Sequence, residues 1–95
     1  MSLTIAPGTN RACDAAHHHA SAHRNELSNS GRCGCFFCFR TFPFGDIRRW
    51  TDNNMTALCP SCGIDAVLGD ASGFPVDDAF LRMMHRYWFT MHKKR

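Results

Sequence analysis

The sequence predicts a small α+β domain with a helix at each end, and three observations carry that prediction. The chain has 95 residues, enough for one domain and one core. Two Cys-x2-Cys pairs, Cys35 with Cys38 and Cys59 with Cys62, stand twenty residues apart in its middle. Apolar residues recur at three- and four-residue steps on both sides of that middle. A composition of 44% hydrophobic and 20% charged residues excludes a chain disordered throughout. Ordering a chain of this size costs on the order of 100 to 200 kcal/mol of conformational entropy, and a short chain buries proportionally less surface to offset it. A covalent or metal staple would help.

Residues 1–10 contain Pro7, Gly8 and Asn10 without periodicity and read as a loose arm. Residues 11–29 read as a helix, with Ala12, Ala15, Ala16, His19, His23 and Leu27 on one face, ended by Asn29, Ser30 and Gly31. Residues 32–70 hold five of the six cysteines and most turn signals, and form the expected metal-built centre. Inside it, residues 43–52 read as a short helix with Ile47 and Trp50 on one face. Thr56, Ala57 and Leu58 read as extended, and residues 64–68 as a helical turn or two closed by Gly69. Residues 75–93 form the clearest helix. Pro75 suits its first turn, and Asp77 and Asp78 suit the positive end of its dipole. Phe80, Met83, Met84, Tyr87, Trp88 and Met91 make its apolar stripe, with Phe89 on the polar side.

Paired cysteines at this spacing point to zinc, because a two-residue gap lets both thiolates of a tight turn face one ion. Cys35, Cys38, Cys59 and Cys62 are the expected ligands of one structural Zn2+, with iron as the other metal that four thiolates suit. Gly63 after the second pair suits a left-handed backbone. Phe39 stands in the equivalent place after the first, so the two turns are expected to differ. The second pair lies between an extended run and an expected helix, which resembles a treble-clef zinc domain; a zinc ribbon is the alternative.

The stretches CGCFFC, TALCPSCGIDAVLGD, SGFP and YWF resemble a family of short bacterial proteins described only as cytoplasmic proteins, whose members carry CGCFYC, TALCPYCGIDSVIG, SGYP and YWF. The resemblance spans residues 17–89 and implies a cytoplasmic location and a shared metal site, with no activity attached. Phe37 and Ser61 stand where that family has tyrosine, which puts any role of those hydroxyls in doubt here.

Several residues are left over. Cys33, two positions from Cys35, can replace it as a ligand, act as a reactive thiolate, or be small and buried; Cys13 is also spare. His19 and His23, four apart with Glu26 beside them, can hold a second ion or form a packed, hydrogen-bonded polar group. Asp65 reads as a cap or a carboxylate near the metal.

The net charge of +3 decides little by itself. Arg40, Arg48, Arg49, Arg82, Arg86 and the tail from Lys93 to Arg95 could contact phosphates, with Trp50 or Phe89 stacking on a base. An HNH-type nuclease would need a histidine between the cysteine pairs, and residues 39–58 have none. The abundance of phenylalanine and methionine favours instead a zinc-stabilised interaction module that binds a protein partner or itself, with nucleic-acid binding as the alternative. No apolar run is long enough for a membrane span, and no secretory signal opens the chain, so a cytoplasmic protein is expected.

Overall fold

The structure is a computed structural model and describes residues 7–90, with side chains from 11 to 89. Helix α1 (Pro7–His17) begins on a proline, whose fixed φ suits the first helical turn. Residues 7–10, expected in a loose arm, are therefore helical, and residues 1–6 of that arm lie outside the described residues.

The single helix expected over residues 11–29 is broken. After α1 come a 3-10 turn (His18–Ala20), an extended Ser21, Ala22 at φ 48° and a short helix α2 (Arg24–Ser28). The cause is tertiary. Amides that would bond to carbonyls four residues back are captured elsewhere: Ala22 N–H donates to Thr56 Oγ1 at 2.8 Å, and the amides of His23 and Arg24 donate to the Met55 carbonyl at 2.8 and 3.1 Å.

A three-stranded antiparallel sheet has β1 (Cys33–Cys35) at its centre, β2 (Thr41–Phe42) on one side and β5 (Val67–Gly69) on the other. Cys33 lies opposite Phe42 and Gly69, and Cys35 opposite Val67. A second, two-stranded unit pairs β3 (Trp50–Thr51) with β4 (Thr56–Ala57). Two helical expectations fail here. Of residues 43–52, only Phe44–Asp46 form a 3-10 turn, because Trp50 and Thr51 pair across the hairpin and Arg49 accepts from the amide of Leu58 at 3.0 Å. Residues 64–68 are not helical either. Ala66 accepts from Phe36 N–H at 2.9 Å, and Val67 to Gly69 run along β1, so Gly69 is an extended strand residue at φ −116° rather than a helix cap.

Helix α3 (Asp78–His85) starts later than expected, leaving Pro75 and Val76 before it. Asp77 caps it, its Oδ1 accepting from Phe80 N–H at 2.9 Å. It packs close to β1 because Gly34 has no side chain: a Cβ there would stand 2.6 Å from Val76 Cγ1 and 3.0 Å from Leu81 Cδ1. Arg86–Thr90 continue as a π-helical turn, and residues 91–93 lie outside the described residues. An i→i+5 turn advances each residue less far around the axis than an α-helix does. Phe89, expected on the polar side, accordingly packs 5.8 Å from Phe36 and 5.1 Å from Phe37 between ring centroids. The core joins Leu27 of α2, Val67 and Leu68 of β5 and Leu81 and Met84 of α3, all fully buried. Among the described residues, no helix is long and apolar enough to cross a membrane.

Candidate metal centre

Cys35 ends β1, and its turn leads through Cys38 into β2; Cys59 and Cys62 lie on the turn that joins β4 to β5. The two turns share one backbone design. In each, the first cysteine donates its amide to the carbonyl five residues on, Cys35 to Arg40 and Cys59 to Ile64, both at 3.0 Å. In each, the amide four residues on returns to the carbonyl of the first cysteine: Phe39 to Cys35 at 2.8 Å and Gly63 to Cys59 at 2.9 Å. The amides of Phe37 and Ser61 donate to Sγ of the first cysteine of their pair, both at 3.3 Å. Phe39 sits at φ 70° and Gly63 at φ 80°. The expectation that Phe in place of Gly makes the turns differ is therefore corrected: Phe39 accepts the left-handed conformation that glycine adopts freely, at a cost of about 1 to 2 kcal/mol.

The two turns face one another. Cys35 Sγ lies 3.7 Å from Cys62 Sγ, and Cys38 Sγ lies 3.6 Å from Cys59 Sγ. All four sulfurs fall within 4.8 Å of one another, a grouping that could hold a metal ion. Burial raises the pKa of Cys35 and Cys62. Burial also opposes ionisation of Cys59, but hydrogen bonds from the amides of Cys62 and Ser61 and from neighbouring thiols outweigh it and lower its pKa. Cys33 is not among the four. It is fully buried in β1, where burial, with the charge of Asp70 adding to it, pushes its thiol up to about 11. Cys13 is likewise fully buried, in α1.

His19, His23 and Glu26 lie together, with His19 Nδ1 and both nitrogens of His23 engaged within the protein. His19 Nδ1 bonds to Glu26 at 2.8 Å. His23 is 3% exposed; its Nδ1 lies 2.6 Å from the His19 carbonyl, and its Nε2 accepts from Ala57 N–H at 3.0 Å. That pairing fixes the neutral tautomer with the proton on Nδ1 and leaves no lone pair for a cation.

Arg40, Arg48, Arg49 and Arg86 are exposed, while Arg82 bonds to Asp78 at 2.7 Å and covers the Phe39 ring at 4.4 Å. Trp50 is partly buried against Phe44 and covered by Arg24 at 4.4 Å, so it is less available for stacking than expected. Phe37, at 39% exposure, is the more open ring. The tail from Lys93 lies outside the described residues.

One grouping has no sequence signal: His17, Asp65 and Trp88 line a single cavity. Their separation along the chain gives no spacing pattern that could have brought them together.

Fold and cluster define a small α+β protein whose four central cysteines could hold a metal ion. Comparison with protein-family models, curated proteins and solved structures yields no match to the chain.

Proposed function

We propose that the protein is a zinc-stabilised binding module in which Cys35, Cys38, Cys59 and Cys62 hold one structural Zn2+. The sulfur separations carry the reading. Thiolates about 2.3 Å from a tetrahedral ion stand about 3.8 Å apart, and the two cross-turn pairs are 3.7 and 3.6 Å apart. Four thiolates complete the shell and leave no position for an activated water, which favours a structural over a hydrolytic role. Both turns are followed by strands, β2 and β5, which supports a zinc ribbon in preference to a treble clef. The paired cysteine spacing and the resemblance of the surrounding stretches to a family of short bacterial cytoplasmic proteins support a cytoplasmic location.

In this reading the ion fixes a scaffold whose surface engages a protein partner or a second copy. Phe37 and Met55, at 39% and 41% exposure, are the open large apolar side chains among the described residues. A second reading, single-stranded nucleic acid, draws on one observation: Phe37 projects from the first turn, with exposed Arg40 following it and Arg82 and Arg86 on the helical segment packed beside that turn. Elemental analysis of protein purified without added metal tests the zinc centre, with one zinc per chain expected and iron in its place the alternative. Affinity capture from native cells, with and without nuclease, tests the partner. Recovery of a protein that survives nuclease supports the first reading, and recovery of nucleic acid alone supports the second.

A further inference from the structure

A cavity of about 250 Å³ lies between the end of α1, the residues that follow the second cysteine turn and the π-helical turn. Its apolar walls are the rings of Phe36, Trp88 and Phe89, and its polar lining comes from His17, Ser21 and Asp65. The rings are held in place. Phe36 is 2% exposed, and Trp88 donates its indole N–H to the Cys13 carbonyl at 3.2 Å while His17 lies over it at 4.1 Å.

Asp65 is exposed, and no ion pair among the described residues includes it. Burial, with a smaller contribution from His18, lowers the pKa of His17 against the opposing pull of Asp14 and Asp65, so His17 is neutral near pH 7. Among the described residues of the lining, Asp65 is then the one formal charge, with no lysine or arginine beside it. An anion would be repelled, and an uncharged apolar solute would desolvate the carboxylate without compensation. An organic cation gains from the carboxylate, and its aliphatic part gains from contact with the aromatic walls.

We propose that this cavity binds an aliphatic ammonium group, as carried by a lysine side chain or a free diamine, with Asp65 as its counter-charge and Trp88, Phe36 and Phe89 as its walls. The volume is below that of a pocket for a drug-sized ligand and suits one extended cationic chain. The site needs only the folded protein and stands whether or not the metal is zinc.

The test is a nuclear magnetic resonance titration of the metal-loaded full chain at constant ionic strength. n-Butylammonium is compared with 1-butanol, its uncharged counterpart. The ammonium is expected to shift the amides of Ser21, Asp65 and Ala66 and the indole N–H of Trp88, and the alcohol is expected to leave them in place. Asp65→Asn should weaken n-butylammonium binding about tenfold, the scale of one lost charge contact. Ser21→Lys, which supplies an ammonium at the rim, should abolish binding, and it carries the test if Asp65→Asn does not fold. Competition by N-acetyl-lysine methylamide and by putrescine then tells a protein side chain from a free diamine. Equal binding of the alcohol, unchanged affinity in both variants, or shifts confined to other surfaces would overturn the proposal. Metal content measured on the same sample keeps a failure here distinct from a failure of the zinc reading.

Discussion

If the four cysteines hold zinc as proposed, removing it should unfold the centre of this protein, and the structure supplies the scale of the effect. The strands that meet at the cysteine turns are two or three residues long, well below the usual five or six, and cannot hold their register alone. Four sulfurs gathered within 4.8 Å would gain their stability from an ion bound among them. A structural zinc site contributes about 10 to 16 kcal/mol, against a net stability of about 5 to 15 kcal/mol for a whole domain. Loss of the ion therefore cancels most or all of the margin. The assay is near-ultraviolet circular dichroism and urea denaturation before and after chelation, with metal loss verified by elemental analysis. Loss of the near-ultraviolet signal and of cooperative unfolding, both restored by added zinc, is expected. Cys35→Ser and Cys62→Ser should behave like chelated protein. Cys33→Ser should keep its metal and lose only about 1 to 3 kcal/mol for burying a hydroxyl. A verified metal-free protein with an unchanged spectrum and midpoint would refute the reasoning, and so would a Cys33→Ser variant that has lost its metal.

Three further outcomes follow from the geometry. Gly69→Ala should cost about 1 to 3 kcal/mol in the urea midpoint through overpacking, because its Cβ would collide with Ser30 Oγ and stand 2.8 Å from Leu27 Cδ2; an unchanged midpoint would mean that β5 and α2 are not so closely apposed. Gly63→Ala should cost about 1 to 2 kcal/mol for a side chain at φ 80° yet keep full metal content, since Phe39 already holds a side chain at φ 70° in the matching turn. Stability should fall as pH drops below about 6.5, the ordinary histidine value. Burial lowers the pKa of His23, so the unfolded chain takes up the proton first and the loss continues until pH reaches the folded value. Urea midpoints across that window, taken with metal content held constant, would show no such fall if His23 were protonated in the fold.

The cysteine pairs were legible in the sequence because their design is local, two ligands and a two-residue gap, whereas the left-handed residue four places on was legible at Gly63 and hidden at Phe39. The helix around Phe80 to Met84 was legible for the same reason, through its apolar stripe. What escaped was whatever depends on a distant partner. His23 and Arg24 continue a helical pattern, yet their amides belong to Met55. Val67 and Leu68 fit a buried helical turn as well as a buried strand, and only their pairing along β1 makes them a strand. Its neighbours in sequence make Gly69 look like a helix cap, whereas its role is to admit Leu27 of α2 and Ser30 just beyond that helix. Phe89 was placed on the polar side by a helical wheel that assumes an α-helix, and the π-helical turn invalidates that phase.

Two turns with one backbone design carry different side chains, and that difference connects the cysteine cluster to the rest of the molecule. A glycine at position 39 would avoid a left-handed penalty of about 1 to 2 kcal/mol. Phe39 instead places its ring edge-on to His85, 5.1 Å between centroids, and beneath Arg82 at 4.4 Å. An edge-to-face aromatic contact contributes about 0.5 to 1.5 kcal/mol, and an exposed cation–π contact about 0.5 to 1 kcal/mol. The gains are comparable to the penalty, so Phe39 is near neutral for stability while fastening α3 to the first cysteine turn. His85 completes the attachment, its Nδ1 lying 3.1 Å from the Phe36 carbonyl in the same turn. The second turn has Gly63 at the matching position and no ring there to engage α3. Any movement of the first cysteine pair should therefore reach α3 and the π-helical turn, and with them the aromatic wall of the cavity beside Asp65, while the second pair should reach that cavity through the short segment from Gly63 to Ala66.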